Sequence, residues 1–302
     1  MRKLITWMGL LSIFLGVYLA RDELVEYIYN VVRGNVEVSL NFSNKYTRKY
    51  DYTYLSFTDN FNVSNKTELL NVYYTILNSG VDKFSFYCKK EYENCISDVI
   101  NLANDQDSIS TLNSFVHPYN SFDNIQTSYD ILGKVTLNIN KTYSEKQIEE
   151  INKKVQEIKD KYIKDITDEK TIIKIVHDYI IDTTVYDSDR SDKNIVKYAS
   201  NIAYGPLIEG YGICGGYTDA MAIFLDIYGI PNMSIISEEH IWNGVYIDGK
   251  WQHLDLTWND PIVSDGRNII DYTYYLISSK ELFEEEKLKH NFDHNVFVEF
   301  AK

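Results

Sequence analysis

Cys214 stands among glycines in the run Tyr211-Gly212-Ile213-Cys214-Gly215-Gly216-Tyr217-Thr218. An apolar helical pattern follows, with Ala220, Met221, Ile223, Phe224, Leu225 and Tyr228, and Gly229 and Pro231 end it. A sulfur at this position meets the free N–H groups of a helix N-terminus, which can hold an oxyanion. It also meets the positive end of the helix dipole, which favours a thiolate. The dipole is worth about 2 kcal/mol at most and one pKa unit is about 1.4 kcal/mol, so the dipole alone moves a thiol by roughly one unit. A strongly ionised nucleophile needs an imidazolium beside it as well.

Two later segments supply the partners. His240 to Ile247 and Lys250 to Thr257 read as strands, and Asp248-Gly249 between them is a two-residue hairpin signal. That turn sets Ile247 opposite Lys250, so Trp242 faces Asp255 and His240 faces Thr257. His240 and Asp255 then share one face as diagonal neighbours, about 7–8 Å apart at the backbone and within side-chain reach. The other face carries Ile241, Val245, Ile247, Leu254 and Leu256, suited to packing on a core. The expected roles are Cys214 as nucleophile, His240 as the base that takes its proton and returns one to the leaving group, and Asp255 as the group that fixes the imidazole. Each has a plain alternative when read alone: a core cysteine, a surface histidine, a turn aspartate grouped with Asn259, Asp260 and Pro261. The shared register favours the catalytic reading. His253 is on the same face and competes as base, but it sits opposite Gly244 and is expected to be a polar neighbour. His177, on a helix without a companion at useful spacing, is expected to be structural.

The elements that must carry these residues are legible along the second half. Ser144 and Gln147 form a capping-box signature. Ile148, Ile151, Val155, Ile158 and Tyr162 then mark an amphipathic helix to about Ile163. A second helix is predicted over Asp168 to Thr183, followed by a polar loop from Tyr186 to Asn194. The first half reads as mixed: strands over Val36–Phe42, Phe84–Cys88 and Lys134–Ile139, helices over Lys66–Asn78 and Cys95–Ala103, and no chemical motif. Three units are expected: 1–33, 34–140 and 141–302. The unit 1–33 holds an uncharged 17-residue stretch from Leu4 to Ala20 behind Arg2 and Lys3, about 25 Å of helix. This reads as a membrane anchor with the remainder outside the cytoplasm, or as a signal peptide. Tyr18 is too large for a cleavage site ending at Ala20, which favours the anchor.

These blocks resemble the transglutaminase-like superfamily of papain-type thiol enzymes. The resemblance rests on Gly212 to Tyr217, His240-Ile241-Trp242-Asn243, and Trp251 through Pro261. It covers roughly Thr167 to Ser279 and is nearest to membrane-anchored bacterial members. It implies an α+β fold with a cysteine-bearing helix packed on an antiparallel sheet, preceded here by a small α+β domain and an N-terminal membrane helix. It implies a triad of Cys214, His240 and Asp255, and acyl transfer from a peptide or glutamine amide through a thioester, to water or to an amine. Asn259 departs from the family pattern, where aspartate is common, and little effect on the chemistry is expected. Tyr204 or Tyr211 could serve as a side-chain oxyanion donor. No cofactor is expected, because the calcium sites of some members are not found in this sequence. A non-catalytic peptide- or protein-binding module on the same fold is the alternative.

Composition sets the outer bounds. The chain has 302 residues, 44% apolar and 25% charged, which excludes a disordered chain and a polytopic membrane protein. Lys+Arg 30 against Asp+Glu 44 leaves −14, which argues against nucleic acid as a partner; the expected substrate, protein or cell-wall peptide, is what the resemblance implies. Of the three cysteines, Cys88 and Cys95 could form a disulfide outside the cell or remain reduced and buried.

Overall fold

The computed structural model describes residues 14–21, 23–25, 27, 40, 44–262, 269–286 and 288–300. The strand predicted over Val36–Phe42 (apart from Leu40), the segment 28–33 and most of the N-terminal apolar stretch lie outside these. Residues 14–19 are helical, and Phe14, Leu15, Val17, Tyr18 and Leu19 are exposed. Among the described residues no helix is long and apolar enough to cross a membrane.

The fold is α+β. In the first half, β1 (Asn62–Val63), α1 (Lys66–Asn78), β2 (Lys83–Cys88), α2 (Cys95–Asn104), α3 (Gln106–Thr111), β3 (Phe122–Tyr129) and β4 (Lys134–Lys141) follow in order. The four strands form a sheet of order β1-β2-β4-β3. Val135, Leu137 and Ile139 alternate inward from β4, while α1 buries Leu69, Tyr73, Tyr74 and Leu77 from its predicted stripe. Asn65 caps α1 by accepting the Glu68 N–H. A disulfide joins Cys88 to Cys95, resolving the alternative that the sequence left open.

In the second half come α4 (Glu145–Ile158), α5 (Glu169–Thr183), β5 (Val185–Tyr186), α6 (Ser188–Lys193), β6 (Tyr211–Gly212), α7 (Cys214–Ile227), β7 (Asn232–Ile236), β8 (Ile241–Ile247), β9 (Lys250–Leu254), β10 (Tyr275–Ile277) and α8 (Ser279–Glu285). Both halves of the Ser144/Gln147 capping box are present, and α4 runs on through a π-helical turn at Lys159–Ile163. The predicted polar loop over 186–194 is corrected: it begins at the last residue of β5 and contains the short helix α6. Asp187 starts α6 by accepting the Arg190 N–H, a cap that decides the local structure where no apolar periodicity exists to signal it.

The antiparallel sheet β10-β9-β8-β7 carries the site. Asp248 and Gly249 both have positive φ, 52° and 76°, as the hairpin signal requires. The register runs from Ile247 opposite Lys250 to Asn243 opposite Leu254, and there the ladder stops. His240 and Asp255 therefore lie just past the paired ends, where side chains are free to lean together. Val245, Ile247, Leu254 and Leu256 pack with α5 and α7 in one core.

The opposite face of this sheet is also buried. Met233, Ile235 and Trp242 join a second core with Tyr52, Phe115, Phe292, Phe297 and Phe300. This core runs from the first half into the second and is closed by residues 292–300. Buried Arg48 adds a polar tie: its guanidinium lies 2.9 Å from Asp226 on α7 and donates to Asn232 Oδ1 at 2.7 Å, while its backbone N–H donates to Asn78 on α1. Removing one partner of such a buried pair costs about 3–5 kcal/mol, because the other charge is left uncompensated.

Candidate active site

Cys214 is the first residue of α7. Ile213 precedes it in extended conformation and gives the helix no side-chain cap, so the N–H groups of the first turn keep their donor capacity. The segment 199–202 lies flat against this turn. Ile213 N–H donates to Ser200 O at 2.8 Å, and Ser200 Oγ donates to Asp187 Oδ2 at 2.6 Å. This approach explains the glycines after the cysteine: a Cβ on Gly216 would fall 2.3 Å from Ser200 O, and one on Gly215 would fall 2.7 Å from Asn201 O. Gly216→Ala is expected to force the helix start away from this segment. It should destabilise by about 1–3 kcal/mol and slow alkylation of Cys214, measured by thermal melting and iodoacetamide labelling. A variant with unchanged melting and labelling would show that the contact is not constraining.

The sulfur is registered to the sheet through Thr218, whose hydroxyl lies 2.8 Å from Cys214 O and 3.1 Å from Ile241 O. Asn243 Nδ2 donates to Thr218 O at 3.0 Å. His240 closes a tight turn onto Ser237 and stacks on Trp242, with ring centroids 5.6 Å apart. Its Nε2–H donates to Asp255 Oδ2 at 2.6 Å, and the Cys214 side chain acts electrostatically on the same ring. Burial works against charge on His240, but Asp255 and then Cys214 outweigh it, and the pKa is pushed up to about 10. The ring is therefore an imidazolium at neutral pH, placed beside a sulfur.

Asp255 is 1% exposed. Burial alone would favour its neutral form, but His240 and His290 hold it well below the usual carboxylate range. Oδ1 accepts the Trp258 N–H at 3.1 Å, and Oδ2 accepts from both His240 and His290. Asn259, the departure from the family pattern, is buried beneath it. Asn259 N–H donates to Asp255 O, its Oδ1 accepts the Tyr274 N–H at 2.9 Å, and its Nδ2 lies 3.0 Å from His177 Nε2.

Other residues singled out by sequence take lesser places. His177 is buried between Asp178 and Asn259, and burial lowers its pKa. His253 accepts the Trp242 Nε1–H at 3.0 Å and reaches Ser279 Oγ at 3.0 Å, while burial pushes its pKa down to about 3. Of the two proposed oxyanion donors, Tyr204 donates to Glu150 at 2.5 Å and Tyr211 stacks on Tyr198 with centroids 3.9 Å apart. Tyr186 is half-buried near Cys214 and donates its hydroxyl to Ser191 Oγ at 3.1 Å, while burial raises its pKa. Sequence reasoning passed over it because it placed Tyr186 in a loop. It also passed over His290, whose Nε2–H donates to Asp255 Oδ2 at 2.9 Å from an irregular segment without periodicity.

Among the described residues, His240, Asp255 and His290 are the set that could ligate a metal, with ligand atoms within 4.8 Å of one another. The Nε2 atoms of both histidines are already hydrogen-bonded to Asp255 Oδ2, so an ion held by these three atoms would have to break the bonds that order the site.

Residues 156–256 match the transglutaminase-like superfamily, and the matched stretch contains Cys214, His240 and Asp255. Among solved structures, a TGase aligns at 14% identity over 56% of this chain and 62% of its own, with a TM-score of 0.33. A candidate cysteine protease from Cytophaga hutchinsonii aligns at 12% identity over 48% of this chain and 64% of its own, with a TM-score of 0.27. This chain thus spans less than two thirds of either structure. No curated protein matches.

Proposed function

Since residues 156–256 form a transglutaminase-like domain, we propose that the protein is a thiol enzyme that transfers acyl groups from peptide or glutamine amides through a thioester on Cys214. The observation that carries this reading is the His240 ring, hydrogen-bonded to the buried Asp255 carboxylate and shifted by the Cys214 side chain, which starts α7. The thiolate, with its proton on His240, attacks the amide carbonyl carbon. The oxyanion so formed sits against the free N–H groups of the first turn of α7. His240 then gives its proton to the departing amine, leaving the thioester. Water or an amine attacks next, His240 takes the incoming proton, and the sulfur leaves as thiolate.

Water is the favoured acceptor, because it reaches any site that does not exclude it. Protein or cell-wall peptide is the favoured substrate, and the catalytic domain is assigned outside the cytoplasm, tethered by the N-terminal apolar stretch. The Cys88–Cys95 disulfide supports an oxidising compartment, and the exposed apolar side chains of 14–19 support the tether.

Two measurements on the full chain test this. Cys214 should react with iodoacetamide at pH 6 faster than free cysteine, and equal rates would overturn the activated nucleophile. Incubation with a glutamine-bearing protein and a labelled primary amine should release ammonia without covalent amine, and incorporation of the label would overturn the water-only form.

A further inference from the structure

We propose that His290 is a positioning residue of this site, whose Nε2–H holds Asp255 Oδ2 where that oxygen grips His240. The inference rests on the thiol-enzyme reading and extends it. Asp255 is pinned at both ends: a backbone N–H from Trp258 at Oδ1, and two imidazole N–H groups at Oδ2. The His240 proton that exchanges with the sulfur belongs to the other ring nitrogen, and the His240 ring must be held in one orientation for that exchange; His290 is the second donor that fixes the oxygen orienting it. The His290 ring is itself immobilised. It is fully buried, stacks on Tyr274 with centroids 5.3 Å apart, and meets the edges or faces of Trp258 and Trp242 at 4.9 and 4.8 Å. Its Nδ1 is buried without a hydrogen-bond partner. A proton there would be an unpaired buried donor, so the ring proton sits on Nε2, toward Asp255.

The charged and titratable neighbours bear on how this is read out. His240 faces Asp255, Cys214 and His290. Asp255 also faces His177, His253 and Tyr274 electrostatically. At the rim, Lys289 pairs with Glu239. If His290 holds the carboxylate in place, its loss lets Asp255 turn away, and His240 gives up its proton at lower pH. If His290 merely shares the same oxygen, its loss leaves the His240 titration unchanged or moves it higher.

The test is ¹⁵N-histidine NMR titration of the full-length protein, with iodoacetamide kinetics alongside. In His290→Leu the His240 midpoint should fall by about one pH unit, and alkylation at pH 7 should slow about 10-fold, the scale on which an orienting partner acts. His290→Gln, which keeps an N–H near the position of Nε2, should restore both. A folded His290→Leu with an unchanged or raised midpoint overturns the proposal even if its melting temperature falls, as does a folded His290→Gln that behaves like the leucine variant. Should His290→Leu not fold, His290→Asn, too short to reach Oδ2, carries the same comparison. A wild-type His240 that titrates as an isolated imidazole, with a thiol no faster than free cysteine, would overturn the thiol-enzyme reading itself, whatever His290 does.

Discussion

Asp255→Asn is expected to lower amide turnover by about 10⁴-fold, the scale seen when the carboxylate of a nucleophile–imidazole–carboxylate set becomes an amide. The substitution keeps the shape of the buried side chain but reverses its bonding. Oδ2 now accepts N–H groups from His240 and His290. An amide nitrogen in its place would instead donate, turning the His240 proton toward the sulfur and removing the acceptor for the thiol proton. Steady-state rates on a glutamine peptide, with circular dichroism to verify folding, check this; a loss under tenfold in a folded variant would remove Asp255 from the chemistry. The same change has a sign in pH. The His240 pKa is pushed up to about 10 in the folded chain, against about 6.5 when unfolded. Its ion pair therefore stabilises fully below about pH 6.5, and that contribution is lost as pH rises toward 10. Urea midpoints should fall over this window in the wild type and fall less in Asp255→Asn.

Cys214→Ala is expected to abolish turnover, by about 10⁶-fold on the scale of removing a nucleophile, and to end covalent labelling. Cys88 and Cys95 are joined, and Cys214 is the free thiol. The unreduced wild type should thus take up one alkyl group per chain and the variant none, read by intact mass. Cys214 is only partly buried, so the melting temperature should change little. Retained turnover in the alanine variant would end the thioester mechanism.

Much of this site was legible in the sequence because it rests on local signals. The Asp248-Gly249 turn determines the hairpin register, and that register brings His240 near Asp255. The glycines around Cys214 mark a helix start pressed against another segment. Helix α1 could be read from its apolar stripe and α4 from its capping box. What escaped depends on distant partners. His290 reaches Asp255 across 35 positions from a segment without regular structure. The sheet face bearing Trp242 and His253 was read only as the face holding the imidazole and the carboxylate; that Phe292 and Phe300 cover it was not legible. Helix α6 escaped because its one strong signal is a single capping aspartate.

The wall behind Asp255 has a bearing on biosynthesis. Its pieces, His290, Phe292, Phe297 and Phe300, all follow the cysteine by more than seventy positions. A ribosome that has delivered the sulfur, the imidazole and the acid has still not delivered the surface that seats them. Until the stretch 290–300 is made, the growing polypeptide lacks the residues that pack behind Asp255 and the Trp242 face of the sheet.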